Sequence, residues 1–503
     1  MGNRNPKIRA VNLAGWLVTE GWIKPSLFDA IPNKDFLDGT SLRLKSMMVG
    51  KCLCAESGGG SRVVVNSMGT GAVAETPEGS SFYWDTFRLW RINERLFHFR
   101  VANKQFVGLN SGGNGVDLVA ICRSPGTPET FEIVRNPDDP SRVRIRASNG
   151  FFLRVRTEER VTADYQCGES DKWEDENPSV FVMSITKRLE GEFQVTNGLG
   201  PQKAPEVMKE HWSTFIVEDD FKFVAENGLD AVRIPVGWWI ASDPNPPAPY
   251  VGGSLAFLDN AFSWAEKYRL KVIIDLRAAP GSQNGWERSS SRDGFQEWGD
   301  TDDTIQLTLH VIDFLTSRVI IQLCLCRYAK SPSLYAVDLL NEPLAGTVSQ
   351  ETISAYYDDG HKAVRMHSST AYVIVSCMLE ASNTELVLPD VNSQDMTVVN
   401  MQCYFLLDTD GTIQDILPSQ YRDNITQFDC PATSNEPLIF VGEWVVEWGV
   451  NGTTKGEYQK SLEAQAQLEA YGRATFGWSY WTLKCAESRY SLEWMVKNGY
   501  IKL

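Results

Sequence analysis

Apolar runs of five to seven residues recur along most of the chain, and amphipathic stretches of helical period separate them after Gly191. Runs that are apolar on both faces are typical of buried parallel strands, and their alternation with helices predicts an α/β fold. Eight such runs are present, at residues 8–13, 231–236, 271–276, 336–340, 371–376, 398–402, 438–444 and 477–483. Together they predict a (β/α)₈ barrel, the TIM-barrel architecture.

The interval between the first and second of these strands follows a different pattern. From about Gly39 to Lys187 the period is short and β-like, with glycine-rich turns. Similar stretches recur at residues 86–89, 130–133 and 180–183, and a second set recurs at residues 51–53, 105–107 and 151–153. Three units of roughly 45 residues predict an inserted all-β domain of the β-trefoil type. The expected segments are therefore 1–38 (first barrel strand and loop), 39–188 (insert) and 189–503 (remaining barrel).

Trefoils bind sugars or proteins, so the insert is either an auxiliary sugar-binding domain or a structural insertion without a ligand. No cluster of aromatic residues marks a binding site in it. Four arginines, at positions 142, 144, 146 and 154, alternate along predicted strands and favour a solvated face.

Two of the apolar runs end in carboxylates. Residues 336–340 are apolar except for Asp338 and lead directly into Asn341-Glu342-Pro343, and residues 438–444 include Glu443 near their end. A single strand often ends in polar residues, so the first motif alone is weak. In a parallel barrel, however, the carboxyl ends of the strands form the catalytic face. Glycoside hydrolysis requires a pair of carboxyl groups, and two carboxylates at such strand ends could supply it.

Several motifs together resemble glycoside hydrolase family 5, in particular its plant and fungal exo-β-1,3-glucanase (glucan 1,3-β-glucosidase) branch. They are Asn341-Glu342-Pro343 and residues 11–22, 231–235, 279–285, 441–444 and 477–481. The resemblance covers about residues 1–38 and 190–503. Plant members with an inserted fascin-like domain resemble the whole chain, which agrees with the predicted trefoil.

The resemblance implies a role for each candidate residue. Glu342 would be the general acid/base and Glu443 the nucleophile of a retaining mechanism, which needs carboxyl groups about 5–5.5 Å apart. Arg233 would keep the nucleophile ionised, and Asn341 would donate to the sugar 2-hydroxyl. The remaining expected substrate contacts are Tyr404 near the nucleophile, Trp481 below the sugar at the scissile bond, and Gln283 and Asn284, which could equally form a structural turn.

Two residues depart from the family pattern, which has histidines in the cleft. Arg277 follows the third strand where the pattern reads Asp-Leu-His-Ala, and Gln402 stands where it reads His-x-Tyr. Both belong to the predicted substrate-contacting set. Arg277 could pair with a catalytic glutamate and depress its pKa, and a Glu342 fixed as carboxylate would be a poor acid. A third departure is the apolar stretch 319–326, which reads as an insertion that extends a helix or forces a bulge.

Composition narrows the class of partner. The net charge of −16 (48 basic against 64 acidic residues) disfavours a nucleic-acid binder, whereas a neutral glucan makes no demand on charge. The ten cysteines and five histidines show no metal-ligand spacing, and no cofactor is expected. We expect a monomer with a β-glucan or β-glucoside substrate and no membrane span. The resemblance implies an extracellular or cell-wall location, while the polar N-terminus shows no secretory signal and leaves a cytoplasmic location open.

Three hypotheses follow. The first is a retaining β-glucan hydrolase, and the second is a catalytically impaired, lectin-like glucan-binding protein, motivated by the missing histidines. The third, an actin-bundling protein, rests only on analogy with the fascin-like insert.

Overall fold

The computed structural model describes residues 7–68, 73–75, 81–110, 116–168, 172–320, 326–345, 348–379, 386–387, 395–402, 438–446 and 457–503. The chain divides into two compact units. The barrel unit comprises Met1–Phe28, Pro201–Ser290 and Gln296–Leu503, and the β unit comprises Asp29–Gly200 and Ser291–Phe295. Among the described helices, none is long and apolar enough to cross a membrane.

The first strand, β1 (Ile8–Asn12), belongs to the barrel unit, and the next fourteen strands lie in the β unit. These are β2 (Ser41–Ser46), β3 (Lys51–Ala55), β4 (Val63–Ser67), β5 (Val73–Glu75), β6 (Ser81–Tyr83), β7 (Phe87–Arg91), β8 (Leu96–Arg100), β9 (Phe106–Leu109), β10 (Leu118–Cys122), β11 (Phe131–Arg135), β12 (Arg142–Ala147), β13 (Phe152–Thr157), β14 (Arg160–Tyr165) and β15 (Phe181–Lys187).

Six strands of the β unit pair into a closed antiparallel ring, in the order β2, β7, β8, β11, β12, β15 and back to β2. Three hairpins, β3–β4, β9–β10 and β13–β14, accompany the ring. Phe87, Phe131 and Phe181, from the first set of similar stretches, begin alternate strands of the ring. The second set of similar stretches, at residues 51–53, 105–107 and 151–153, lies at the start of the first strand of each hairpin, which is β3, β9 or β13. The sequence repetition therefore corresponds to a repeated structural unit, and the predicted all-β domain is confirmed.

Alternating side chains of the ring strands fill one hydrophobic core. Leu42 and Leu44 on β2, Phe87 and Leu89 on β7, and Phe99 on β8 are all at most 3% exposed and belong to it. Burying each such side chain stabilises the fold by about 1.5–3 kcal/mol. Because strand side chains alternate between faces, the residues between them point away from this core.

The four alternating arginines of the β unit are not simply solvated. Three of them are partly exposed and pair with carboxylates: Arg142 with Asp175, Arg146 with Glu132 and Arg154 with Asp164. Arg144 is only 4% exposed, and its guanidinium lies 4.2 Å from the centre of the Trp173 ring. The prediction of a solvated face is wrong for Arg144, because stacking on an aromatic ring compensates for its lost hydration.

The barrel unit closes around eight parallel strands in the order β1, β16, β17, β20, β21, β24, β25 and β26. The strands after β15 are β16 (Ala231–Gly237), β17 (Lys271–Ala278), β18 (Val319–Ile320), β19 (Cys326–Arg327), β20 (Leu334–Asp338), β21 (Tyr372–Ser376), β22 (Met378–Leu379), β23 (Leu386–Val387), β24 (Thr397–Gln402), β25 (Leu438–Trp444) and β26 (Gly477–Tyr480). All eight predicted runs are barrel strands, so the (β/α)₈ prediction is confirmed.

Helices separate most consecutive barrel strands. They are α1 (Glu192–Thr214), α2 (Glu218–Glu226), α3 (Ser254–Tyr268), α4 (Asp302–Ser317), α5 (Gln350–His367), α6 (Glu457–Tyr471) and α7 (Leu492–Lys497). Short 3₁₀ helices occur at Pro25–Phe28, Glu56–Gly58, Thr127–Glu129, Trp238–Ser242, Glu287–Ser289, Tyr328–Lys330 and Ser488–Tyr490. The α1 helix bends at Gly200, which has a φ of 77° and precedes Pro201.

The division between the units falls outside the segment with β-like periodicity. The sequence places the insert at residues 39–188, whereas the β unit begins at Asp29 and its first stretch ends at Gly200. Phe36, which precedes the first β-unit strand, is fully buried in the core of that unit. Periodicity marks where strands begin, but the packing of flanking loops and helices sets the extent of a unit.

The apolar stretch 319–326 does not extend α4, which ends at Ser317. Val319 pairs with Arg327 and Ile320 pairs with Cys326 in a short antiparallel ladder formed by β18 and β19. Residues 321–325 lie outside the described part of the chain. Of the two predicted alternatives, a longer helix or a bulge, the longer helix is wrong, because Val319 and Ile320 are paired as a strand directly after α4.

Candidate active site

Two buried glutamates lie at the carboxyl end of the barrel. Glu443 is on β25 and is 2% exposed, and Glu342 follows β20 and is 3% exposed. The strand β20 ends at Asp338, two residues earlier than the sequence predicts. The backbone N–H of Asn341 nevertheless donates to the carbonyl of Leu276 at 3.0 Å, which keeps the next residues beside β17. Both carboxyl groups therefore project from the face where barrels carry their catalytic residues.

Two arginines hold the carboxylate of Glu443. Arg233 on β16 donates through Nη1 to Oε1 at 3.1 Å, and Arg277 on β17 donates to the same oxygen through its own Nη1. Nη2 of Arg277 also reaches Oε2 at 3.5 Å. Neither guanidinium is accessible to water, because the two arginines are at most 1% exposed. Charge-assisted contacts of this kind are stronger than neutral hydrogen bonds.

Arg233 and Arg277 favour the ionised form of Glu443. Burial raises the pKa of this carboxyl, but the charges of Arg277 and Arg233 and the hydrogen bonds from Arg277 outweigh burial. The pKa of Glu443 consequently lies below its ordinary value of 4.5. A buried carboxylate that stays ionised is suited to attack an electrophilic carbon.

Glu342 has a different environment. Arg288 donates through Nε to Oε2 of Glu342 at 2.6 Å, and the Arg288 side chain remains 25% exposed. Its guanidinium stacks over the Trp286 ring, 3.6 Å from the centre. The backbone of Glu342 has a φ of 51°, an uncommon value for a residue with a side chain, and Asn284 donates to its carbonyl at 3.0 Å. The loop that carries Asn284 and Arg288 thus positions both the backbone and the carboxyl of Glu342.

The pKa of Glu342 moves in the opposite direction from that of Glu443. Burial raises it above 4.5, the negative charge of Glu443 acts in the same direction, and Arg288 and Arg277 only partly oppose them. Environments that push the pKa values of two carboxyl groups apart assign one to proton donation and the other to attack or charge stabilisation. The pair can therefore perform acid-assisted displacement at a glycosidic carbon.

A buried polar network lies beneath the two glutamates. Arg233 also donates to Asn12 at 3.0 Å and, through Nη2, to Asp338 at 2.7 Å and Asn341 at 2.9 Å. Asp275 lies 3.0 Å from the same nitrogen. Burial raises the pKa of Asp275 to about 7, although the charge of Arg233 opposes this. Arg233 therefore links β1, β16, β17, β20 and β25 through buried side chains.

The barrel matches the model of a known family. A family model described as cellulase (glycosyl hydrolase family 5) matches residues 200–487. The chain belongs to glycosyl hydrolase family 5. A second model, for a domain of unknown function (DUF7910), matches residues 33–186. The family-5 match covers most of the barrel unit, and the other match lies within the β unit.

Relatives of this family-5 chain include two fungal proteins. It is 28% identical over 369 residues to the glucan 1,3-beta-glucosidase of Pichia angusta, covering 64% of this chain and 80% of that protein. It is 32% identical over 341 residues to the probable glucan 1,3-beta-glucosidase A of Aspergillus clavatus, covering 61% of this chain and 78% of that protein. The crystal structure of rutinosidase from Aspergillus niger matches with a TM-score of 0.51 and 20% identity over 61% of this chain and 88% of that chain. This last likeness shows the shared fold.

The family-5 barrel brings together most of the predicted site residues. Glu443 contacts Arg233 and Arg277 directly, and Asn341 joins them through Arg233. Trp481 is 3% exposed, and its ring centre lies 4.3 Å from the guanidinium of Arg277. Arg277 therefore covers one face of the ring that was predicted to carry the sugar.

The predicted residues Gln283, Gln402 and Tyr404 show no direct contact with either glutamate among the described side chains. Gln283 is fully buried; its amide donates to the carbonyls of Arg277 at 2.8 Å and Asn341 at 2.7 Å, and its oxygen accepts from the backbone of Ala279. These bonds favour a structural role. Gln402 ends β24 in register with Glu443. The side chain of Gln402 and all of Tyr404 lie outside the described residues.

Two further residues at the site were not among the sequence candidates. Arg288 contacts Glu342, as described above. Glu20 is 2% exposed, its Oε1 lies 3.9 Å from Arg277 Nη2, and Trp22 donates to its Oε2 at 3.1 Å. Burial raises the pKa of Glu20 to about 7, with Arg277 opposing. Glu20 lies within residues 11–22, one of the stretches that resemble family 5, so this motif could have identified it as a site residue. No pattern in the sequence marks Arg288.

Proposed function

We propose that the barrel unit is a retaining β-glucan hydrolase that releases glucose from β-1,3-glucan or from β-glucosides. Membership of family 5 makes the chain a glycosidase. The 1,3 linkage and the exo action are inferred from the relatives named glucan 1,3-beta-glucosidase. The observation that carries the proposal is a pair of buried glutamates on two strand ends whose pKa values shift in opposite directions.

In the first half of the proposed reaction, Glu342 donates its proton to the glycosidic oxygen while Glu443 attacks the anomeric carbon. The carbon–oxygen bond breaks, the leaving alcohol departs, and a glycosyl ester forms on Glu443. Arg233 and Arg277 compensate the charge of Glu443 before the attack. Asn341, held by Arg233, is proposed to bind the sugar 2-hydroxyl.

In the second half, Glu342 acts as a carboxylate and takes a proton from water. The resulting hydroxide equivalent attacks the anomeric carbon, the bond to Glu443 breaks, and the sugar leaves with its original configuration. The proton is again on Glu342, so the enzyme returns to its starting state.

The second candidate is a lectin-like protein that binds glucan without turnover. The contact between Arg277 and both oxygens of Glu443 favours it. A carboxylate held by two arginines is a weaker nucleophile, because its full negative charge in the ground state is stabilised more than the reduced charge that remains on it in the transition state.

Release of the alcohol from an aryl β-glucoside, measured from about pH 4 to pH 8, separates the two candidates. Hydrolysis requires a bell-shaped profile that Glu443→Ala abolishes and that Glu342→Gln strongly reduces. Absence of turnover at every pH, in a folded protein that still binds laminarin-type glucan, would instead identify a lectin.

We also infer that the β unit is a β-trefoil of the fascin-like type. A closed six-stranded ring, three hairpins and a threefold sequence repetition support this inference. An auxiliary saccharide-binding role for it, and an extracellular or cell-wall site of action, are consistent with a polysaccharide substrate.

A further inference from the structure

Among the described residues, three arginines contact Glu342 or Glu443, and Arg288 is the most exposed of them. Its side chain is 25% exposed, whereas Arg233 and Arg277 are at most 1% exposed. Its Nε donates to Oε2 of Glu342 at 2.6 Å. Within the described part of the chain, its terminal nitrogens Nη1 and Nη2 donate to no acceptor. They are therefore open to a group that approaches from solvent.

The contact with Glu342 places Arg288 beside the leaving group of the proposed reaction. A general acid lies within about 2.6–3.2 Å of the oxygen that it protonates. Because Arg288 Nε contacts the same carboxyl group, the glycosidic oxygen would lie within roughly 6–8 Å of that nitrogen. Glu443 attacks the anomeric carbon from the face opposite the leaving group. A substituent on the first ring of the leaving group can therefore reach the terminal nitrogens of Arg288.

An aromatic ring fixes the plane of the guanidinium. Arg288 stacks over Trp286, 3.6 Å from the ring centre, and the Trp286 side chain is itself half-buried. Stacking occupies the face of a guanidinium and leaves its edges free for hydrogen bonds. One edge of Arg288 is directed at Glu342 through Nε. The edge formed by Nη1 and Nη2 has the geometry that binds a carboxylate through two parallel hydrogen bonds.

The charge of Arg288 loses its contact partner in the state that reacts. Glu342 must be protonated to act as an acid, and a protonated carboxyl group is neutral. Within the described part of the chain, Glu342 is the one carboxyl group that Arg288 contacts. Glu20 and Glu443 are influenced by its charge only from a longer distance. A carboxylate on the substrate would give the guanidinium a charge-assisted partner in this state.

We propose that Arg288 selects substrates whose leaving group carries a carboxylate on its first ring. This inference deepens the proposed hydrolysis by Glu342 and Glu443 and rests on it. The carboxylate pairs with Nη1 and Nη2 of Arg288, while protonated Glu342 donates to the glycosidic oxygen. The carboxylate takes no part in bond cleavage and departs with the alcohol. A uronic acid unit and an aromatic hydroxy acid share this chemistry.

Two aryl glucosides test the proposal at neutral pH: 3-carboxyphenyl β-glucoside and its uncharged analogue, 3-carbamoylphenyl β-glucoside. The quantity compared between variants is the ratio of their kcat/KM values, because the intrinsic reactivities of the two leaving groups then cancel. Arg288→Gln should lower this ratio about tenfold, since one charge-assisted pair is lost. Arg288→Lys, which keeps the charge, should retain most of the preference. The same ratio in wild type and Arg288→Gln would overturn the proposal.

Arg9→Gln is the matched control. Arg9 also pairs with a carboxylate, Asp230, at 3.5 Å, and its side chain is 42% exposed. It lies near the start of β1, at the end of the barrel opposite the catalytic face. The ratio in this variant should equal that of wild type. An equal fall in Arg9→Gln and Arg288→Gln would reveal a general effect of net charge and overturn the assignment.

A second pair of substrates distinguishes the two sources of the carboxylate. It consists of glucose β-1,3-linked to glucuronic acid and of laminaribiose, in which the leaving sugar is neutral. A ratio for this pair that falls in Arg288→Gln would identify a uronic acid unit as the preferred leaving group. A dependence on Arg288 that is confined to the aryl pair would identify an aromatic hydroxy acid.

Binding to Glu342→Gln separates this proposal from that of hydrolysis. The glutamine stands in for the protonated acid, so the charge of Arg288 is in the same state as in the reacting enzyme. In calorimetry, 3-carboxyphenyl β-glucoside should bind about tenfold more tightly than the carbamoyl analogue, and adding Arg288→Gln should remove the difference. Equal affinities in Glu342→Gln would overturn the proposal. Absence of turnover in wild type, with this preference intact, would count only against the proposed function.

Discussion

Arg277 contacts both oxygens of Glu443 and takes the place of a histidine in the family pattern. An arginine adds a permanent charge where a histidine would titrate. Arg277 is the strongest charge that lowers the pKa of Glu443, the proposed nucleophile, whereas Arg288 acts more strongly than Arg277 on Glu342. The expectation from the sequence that Arg277 could depress the pKa of a catalytic glutamate therefore applies chiefly to Glu443, the proposed nucleophile, and less to Glu342, the proposed acid.

Arg277→Gln should move the acid limb of the pH–rate profile to higher pH. Removing the permanent charge raises the pKa of Glu443, and the nucleophile must be ionised to react, so activity at low pH is lost sooner. An opposite charge at this distance is typically responsible for a shift of about 1–3 pH units. Arg277→Lys, which keeps the charge, is the control for aryl β-glucoside hydrolysis. An unchanged acid limb in Arg277→Gln would contradict the assignment of Glu443.

Arg288→Gln should move the alkaline limb to higher pH. Arg288 lowers the pKa of Glu342, and the acid works only while protonated, so removing the charge keeps it protonated to higher pH. A shift of up to about 1 pH unit is expected, because the Arg288 side chain is partly exposed and solvent screens its charge. Arg288→Lys, which keeps the positive charge, is the control and should leave the alkaline limb close to that of wild type. A downward shift of the alkaline limb would show that Glu342 is not the acid.

At the scale of elements, the close contact between β24 and β25 positions Glu443. Asn400 on β24 accepts from the backbone N–H of Gly442 at 3.0 Å and donates to Asp338 at 3.1 Å and to Ser376 at 3.2 Å. One asparagine thereby connects four consecutive barrel strands. A Cβ on Gly442 would lie only 2.2 Å from the Asn400 side-chain oxygen, so only glycine fits at this position.

Gly442→Ala should therefore lower both stability and turnover. Displacing Asn400 costs about 1–3 kcal/mol of unfolding free energy, as overpacking of a buried site does. The shift of Glu443 should reduce kcat/KM by at least about tenfold, because catalysis depends on near-ångström positioning. Denaturant unfolding and aryl-glucoside kinetics measure the two effects. Gly126→Ala, whose added Cβ meets its nearest neighbour at 3.7 Å, is the control. Kinetics unchanged from wild type would contradict this account.

At the scale of the whole molecule, the proposed catalytic residues and the phenylalanine-rich core lie in different units. All the described residues around Glu342 and Glu443 belong to the barrel unit, whereas the large phenylalanine-rich core belongs to the β unit. A loss of packing in the β unit should therefore change how stable the chain is without changing the chemistry of the folded enzyme.

Ile145→Ala tests this separation. Ile145 on β12 is fully buried, and its truncation should cost about 2–5 kcal/mol of unfolding free energy. At a temperature where circular dichroism shows a folded protein, kcat on the aryl glucoside should equal that of wild type. The exposed substitution Ile121→Ala should change neither quantity. A reduced kcat in folded Ile145→Ala protein would show that the β unit contributes to catalysis.

The sequence by itself determined the eight barrel strands, the all-β insert and the placement of Glu342 and Glu443 at strand ends, because hydrophobic periodicity and strand-terminal polar residues are local signals. Only the tertiary structure decided which charges meet. Arg288 reaches Glu342 from a loop 54 residues away in sequence, and the amide of Gln283 is occupied by the backbone carbonyls of Arg277 and Asn341. These contacts depend on register and loop path across distant segments, and the energy of a charge depends on what surrounds it in space.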